Sequence, residues 1–122
     1  MATIGARIVV IGPGSLEIGL EHRADLTQQH GFLHAAIVAA ILDSACGYAA
    51  LTLMPLGSDV LSIEFKVNLL APAVGETFVA RAEVKRSGKT VSVCAADCFA
   101  IHDGKEKLVA TMLATMMRRV VE

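Results

Sequence analysis

Residues 28–55 read QQHGFLHAAIVAAILDSACGYAALTLMP, and this stretch decides the architecture. Two glutamines and two histidines lead into a long run of apolar or small residues that contains a single carboxylate, Asp43. At 3.6 residues per turn, Ala36, Ala39, Ala40, Asp43, Cys46, Gly47 and Ala50 fall on one helical face. Val38, Ile41, Leu42, Ala45, Ala49 and Leu53 form a bulkier face elsewhere. A lone acid in so apolar a helix is costly to bury unless it has partners or a task. The stripe of small side chains lets another group come close, so Asp43 is marked as a site residue. The same run is long enough to raise the question of a membrane span. Asp43, the glycine breaks and the small-residue face argue against one, and no membrane partner is expected.

Beyond Pro55 the period changes from 3.6 to 2. Leu61, Ile63, Phe65, Val67 and Leu69 alternate with Ser62, Glu64, Lys66 and Asn68, which predicts a strand with one buried face. Phe78, Ala80, Ala82 and Val84 alternate with charged residues in the next run. Val91, Val93, Ala95, Asp97 and Phe99 face away from Ser92, Cys94, Ala96 and Cys98 in the one after it. A last run spans 108–120, where Met112, Met116 and Met117 read as strand packing. Ser87-Gly88 and Asp103-Gly104 are tight-turn signals between these runs. Upstream, residues 7–11 and 16–20 flank Gly12-Pro13-Gly14 as two short strands. That Gly-Pro-Gly-Ser lacks the lysine of a phosphate loop.

The order is therefore ββ-α-ββββ, an α+β chain with strands well above the mean of about five to six residues. Long strands in one antiparallel meander twist and curl, and the object to curl around is the single apolar helix. A long central helix wrapped by a curled antiparallel sheet is the hot-dog fold. It leaves sheet edges exposed, and pairing two protomers covers them.

Composition points the same way. A chain of 122 residues makes one domain, 1–122, with a substantial core. With 54% apolar and only 19% charged residues, it must hide more surface than a small monomer can. A homodimer is expected, pairing again into a homotetramer as the alternative. Net charge is −1, with no basic block or aromatic platform, which excludes nucleic acid as a partner. Cys46, Cys94 and Cys98 have neither zinc nor redox spacing and read as reduced core thiols of a cytoplasmic protein. No signal peptide pattern opens the chain. His30 and His34 stand four apart without a third ligand at a recognisable spacing, so no metal and no cofactor is expected.

Gly31-Phe32-Leu33-His34-Ala35-Ala36, with Asp43 nine residues after His34, resembles the HGG…D signature of hot-dog acyl-CoA thioesterases of the phenylacetate-degradation type. The resemblance continues through the strand from Leu61 to Asn68 that runs on to Pro72-Ala73. Arg86-Ser87-Gly88-Lys89-Thr90 and Leu108-Val109-Ala110 follow in order. It covers roughly residues 15 to 118. It implies an acyl-CoA substrate and a role for each matching position. Asp43 would be nucleophile or general base. The Ala35 N–H would polarise the thioester carbonyl, Gln28 would place water or that carbonyl, and Ser62 would be contributed across a dimer interface. Where the family has paired glycines this chain has Ala35 and Ala36, whose methyl groups are expected to narrow the passage beside the carbonyl.

The residues themselves are compatible with that division. Ala35 lies near a helix start, where N–H groups lack partners and the dipole favours negative charge. A donor placed there contributes about 3–4 kcal/mol in oxyanion holes generally. Each residue also has a plainer reading: Asp43 a satisfied acid, Gln28 a loop residue or cap, Ser62 a strand hydroxyl. His34 either fixes the loop through hydrogen bonds or acts as a base. Arg86 and Lys89 are either a solvated hairpin or contacts to the phosphates of coenzyme A. Two other functions fit the same sequence. One is a non-catalytic acyl-CoA binding module; the other is a hot-dog dehydratase or hydratase that would pair His34 with Asp43.

Overall fold

The computed structural model describes residues 1–121. Two N-terminal strands, β1 (Arg7–Gly12) and β2 (Ser15–Glu21), precede the only long helix among them, α1 (Ala35–Leu51). Four long strands follow: β3 (Ser58–Leu69), β4 (Thr77–Ser87), β5 (Val91–His102) and β6 (Lys105–Val120). All six form one antiparallel sheet in the order β1-β2-β4-β5-β6-β3, which curls around α1. The α+β hot-dog architecture expected from the sequence is the one observed. No helix among the described residues is long and apolar enough to cross a membrane.

Local chemistry sets the boundaries. At the C-terminal end of α1 the Thr52 hydroxyl donates to the Ala49 carbonyl (2.6 Å) and accepts the Gly14 N–H (2.8 Å). The helix thereby ends on the β1–β2 turn, and the chain leaves it before Leu53. That residue, expected on the bulky buried face, is 43% exposed for this reason. The rest of that face, Val38, Ile41, Leu42, Ala45 and Ala49, is fully packed in the core. Asp103 (φ 51°) and Gly104 (φ 75°) both adopt left-handed geometry at the β5–β6 hairpin, as a two-residue turn with matching twist requires. At Gly88 a Cβ would lie 2.3 Å from the Val91 carbonyl oxygen, so only glycine closes the β4–β5 hairpin.

One strand departs from the simple alternation. Between Ser62 and Glu64 the β3–β6 register shifts, and Ile63 is the extra residue of a bulge. Ser62 stands opposite Met116, and beyond the bulge Phe65 and Val67 stand opposite Ala114 and Met112. Met112, Ala114 and Met116 are all buried beneath α1. The helix side of β3 is therefore Val60 and Ser62 before the bulge and Phe65 and Val67 after it. Of the face predicted to be buried only Val67 is partly covered: Leu61 and Ile63 point away from the helix at 43% and 52% exposure, and Phe65 and Leu69, at 42% and 55%, are left open because β3 is an edge strand. β3 and β1 are the sheet's two edges, and β1 exposes Ile8, Val9, Val10 and Ile11 at 46–66%.

Cys46, Cys94 and Cys98 are unpaired and buried in this core. Loss of solvation pushes the thiols up, to about 12 for Cys46 and Cys98 and about 11 for Cys94. The folded protein at pH 8 should therefore leave all three unmodified by Ellman's reagent, and denaturant should release three thiols per chain. Rapid modification of native protein would contradict this packing.

Candidate active site

The turn before α1 is organised by Gln28. Its backbone N–H donates to the Phe32 carbonyl (2.8 Å), and its carbonyl accepts the Gly31 N–H (3.0 Å). Its side-chain Oε1 accepts the N–H groups of His30 and, at 3.4 Å, Phe32. Those two donors fix which end of the amide is oxygen. The Nε2 group is therefore the end the turn leaves unused. The segment is tied down further by Leu33 N–H to the Ala73 carbonyl (3.1 Å) and His34 N–H to the Leu26 carbonyl (2.9 Å).

His34 is the N-cap of α1. Its backbone is extended (φ −61°, ψ 137°) and its Nδ1 accepts the Ala36 N–H at 3.0 Å. Its carbonyl takes the N–H groups of Ile37 (2.9 Å) and Val38 (3.2 Å). Of the donors orphaned at a helix start, this leaves one, the Ala35 N–H, without an acceptor among the described residues. Ala35 and Gln28 line the same cavity of about 400 Å³, walled by Phe32, Leu33, Val38, Leu69 to Ala73 and Val109. Two residues with an unused N–H thus line a space with no ionisable side chain.

Ala36 lies elsewhere, with His34, Asp25 and Ile37 in a separate cleft. Only one of the two added methyl groups can then bear on the cavity, and neither alanine has positive φ. His34 is exposed and spends Nδ1 on the cap, which matches its loop-fixing reading.

Asp43 is half-buried midway along α1, where the Ser62 hydroxyl donates to its Oδ1 at 2.6 Å. The Ser62 oxygen also lies 3.4 Å from Met116 Sδ, a contact with no signal in the local pattern. It is the Ile63 bulge that turns Ser62 toward the helix. Eight residues at 1.5 Å each put Asp43 about 12 Å along the helix from Ala35, and Asp43 is not part of the cavity wall. Within one chain the structure thus joins Gln28 to Ala35 and Ser62 to Asp43, and keeps the two pairs apart.

Arg86 and Lys89 are exposed at the β4–β5 hairpin, near the far end of α1, where Val84 N–H donates to the Gly14 carbonyl. A 17-residue helix is about 25 Å long, so they stand far from the cavity of their own chain. Among the described residues, one group of side chains brings possible metal-ligating atoms within 4.8 Å of one another: Glu76, His102 and Asp103. His102 Nδ1 lies 2.6 Å from Glu76 Oε2 and its Nε2 lies 3.4 Å from Asp103 Oδ2, which makes an exposed ion-pair network. The cavity wall of Phe32, Leu69 and Val109 was not legible as such. Its one sequence signal is the apolar Leu69-Leu70-Ala71-Pro72-Ala73 that closes β3.

Residues 30–107, which hold the helix start, Asp43, Ser62 and the hairpin, match the sequence profile of the Thioesterase superfamily. The chain belongs to the thioesterase superfamily. This thioesterase-superfamily chain superposes on the crystal structure of a thioesterase family protein from Silicibacter pomeroyi with a TM-score of 0.97. The two are 53% identical, over 98% of this chain and 88% of that one. A phenylacetic acid degradation-related protein from Ralstonia eutropha gives a TM-score of 0.83 at 25% identity, covering 95% of this chain and 86% of that one. The resemblance to the phenylacetate-degradation type is thus borne out. A Halobacterium salinarum protein named as an esterase is 29% identical over 98 residues, 76% of this chain. This chain spans 64% of that relative's length.

Removing the His34 cap should lower stability by about 1 kcal/mol, a fall of roughly 3–5 °C in Tm for a domain of this size. His34→Ala should show that loss in thermal unfolding, and His34→Asn, a good N-cap, should restore most of it. An asparagine variant as unstable as the alanine one would show that the cap is not what His34 supplies.

Proposed function

We propose that the chain hydrolyses the thioester of an acyl- or aryl-CoA to the free acid and CoA, each active site being built from two copies of this one domain. The observation that carries the reading is the division of α1 into two half-sites. At its start, Ala35 and Gln28, each with an N–H left unused, line one cavity walled by apolar side chains; two turns on, Asp43 is held by Ser62. The first pair suits the oxygen of a polarised thioester carbonyl. In the second, Ser62 occupies Oδ1 and leaves Oδ2 for chemistry. Oδ2 either attacks the carbonyl carbon or takes a proton from water that does. By the first route the C–S bond breaks as CoA leaves and water then cleaves the acyl–Asp43 anhydride; by the second water adds directly, the C–S bond breaks and CoA leaves as the thiol.

A second copy reunites the halves. Ala35 and Asp43 lie four residues either side of Ala39. A two-fold axis crossing two antiparallel helices near Ala39 therefore levels Ala35 of one copy with the partner subunit's Asp43. Ala36, Ala39 and Ala40 are small enough to permit the approach. The unpaired edge of β3 and the apolar edge of β1 supply surface for a homodimer and, by doubling, a homotetramer. The same axis carries the partner's Arg86 and Lys89 toward the cavity end, where coenzyme A phosphates would lie. The buried thiols suit a reducing cytoplasm. His34 spends Nδ1 on the cap of α1 and lines a cleft apart from the cavity of Ala35 and Gln28, which disfavours a dehydratase or hydratase.

A thiol-release screen across acyl- and aryl-CoAs tests the activity, and tight binding without release would instead identify a binding module. Asp43→Asn should cut turnover at least about a hundredfold while fold and assembly persist. Ala35→Pro should also abolish turnover, because it removes the donor at a position where proline is tolerated. Mixing these two inactive variants should then restore about a quarter of the wild-type rate, since half the dimers are mixed and each holds one intact site. No recovery after verified subunit exchange would exclude the shared site. Neutralising Arg86 or Lys89 should raise KM for acyl-CoA more than for an acyl-pantetheine. Equal effects on the two would return both residues to the solvated surface.

A further inference from the structure

We infer that Phe32 is the residue that sets the size of acyl group this chain accepts; the inference rests on the thioesterase reading above. With the thioester oxygen at the Ala35 N–H, either the acyl group or the pantetheine arm must enter the cavity beside it. The pantetheine arm carries two amides that need hydrogen-bond partners. The lining has Gln28 as its one polar side chain and no ionisable one, and its other side chains are apolar. An alkyl or aryl group packs against such side chains at no cost, whereas the pantetheine amides would find no free side-chain acceptor among them, because Gln28 Oε1 is already engaged by the turn. The cavity is therefore the acyl subsite.

Its bulky walls differ in how freely they can set a limit. Leu33, Val38 and Val109 belong to the core, each less than 5% exposed, and their packing is tied to the fold. Leu69 and Leu70 are more than half exposed at the end of an edge strand. Phe32 is half-buried, and its backbone is clamped at both its N–H and its carbonyl by Gln28. Its ring is flanked on another side by His30, centroid to centroid 6.4 Å and tilted 42°. A rigid aromatic wall three residues from the oxyanion donor makes a fixed stop for the acyl chain. Because Gln28 holds only backbone atoms of Phe32, the ring can be replaced without opening the turn that positions Ala35.

The test is a kcat/KM profile over a series of straight-chain and aryl-CoAs for wild type, Phe32→Ala and Phe32→Trp. A pocket wall discriminates by about tenfold or more per methylene. Phe32→Ala should thus raise the long-to-short ratio of kcat/KM at least about tenfold, and Phe32→Trp should lower it. Thermal unfolding checks that both variants fold. Active variants that keep the wild-type profile overturn this inference and leave the activity standing. A folded wild type that releases thiol from no acyl-CoA overturns the activity and this inference with it.

Discussion

Burial of α1 is the constraint from which the other features follow. The helix is apolar or small on nearly every side, and eight of its seventeen residues are buried. A helix of that kind has no stable solvent face of its own and must be enclosed. The sheet encloses it with strands of 11 to 16 residues, long enough to bend around a cylinder while keeping their ladders intact. With six strands wrapped around the helix, the sheet does not close on itself. It therefore ends in two edges, β1 and β3, and both carry exposed apolar side chains.

Polar groups are placed where this enclosure is interrupted. At the start of α1, backbone donors would be left bare, and His34 and the turn held by Gln28 satisfy all but one of them. Midway along α1 the sheet carries its bulge, and the hydroxyl it turns inward is the partner Asp43 needs. The outer face is organised differently. There Arg81 joins Glu17 (3.1 Å) and Glu106 (2.8 Å) in a link that spans four neighbouring strands, β2 to β6, and lies 4.8 Å from the Phe99 ring centre. Half-exposed pairs of this kind contribute little to stability.

The separation of the two half-sites gives the assembly its meaning. One helix carries both an electrophile-binding end and a carboxylate, but about 12 Å of rise lies between them. Bending the helix to bring them together would break the core it fills. Repeating the chain about a two-fold axis does so with no distortion.

Much of this was legible in the sequence, because it depends on local periodicity. The 3.6-residue pattern of 35–51, the alternation in 77–102 and the Asp103-Gly104 turn each determine an element from adjacent residues alone. So does the burial of the three cysteines, all on apolar faces. The prediction failed on β3, where strict alternation was read through Ile63. A bulge depends on pairing with β6, whose Met116 is 54 residues from Ser62, and no local pattern reports it. For the same reason only the tertiary structure decided that Ser62 meets Asp43, that Gln28 and Ala35 share a cavity, and that the pairs stand apart. Sequence fixes the period of each element; the register between distant strands fixes which side chains meet.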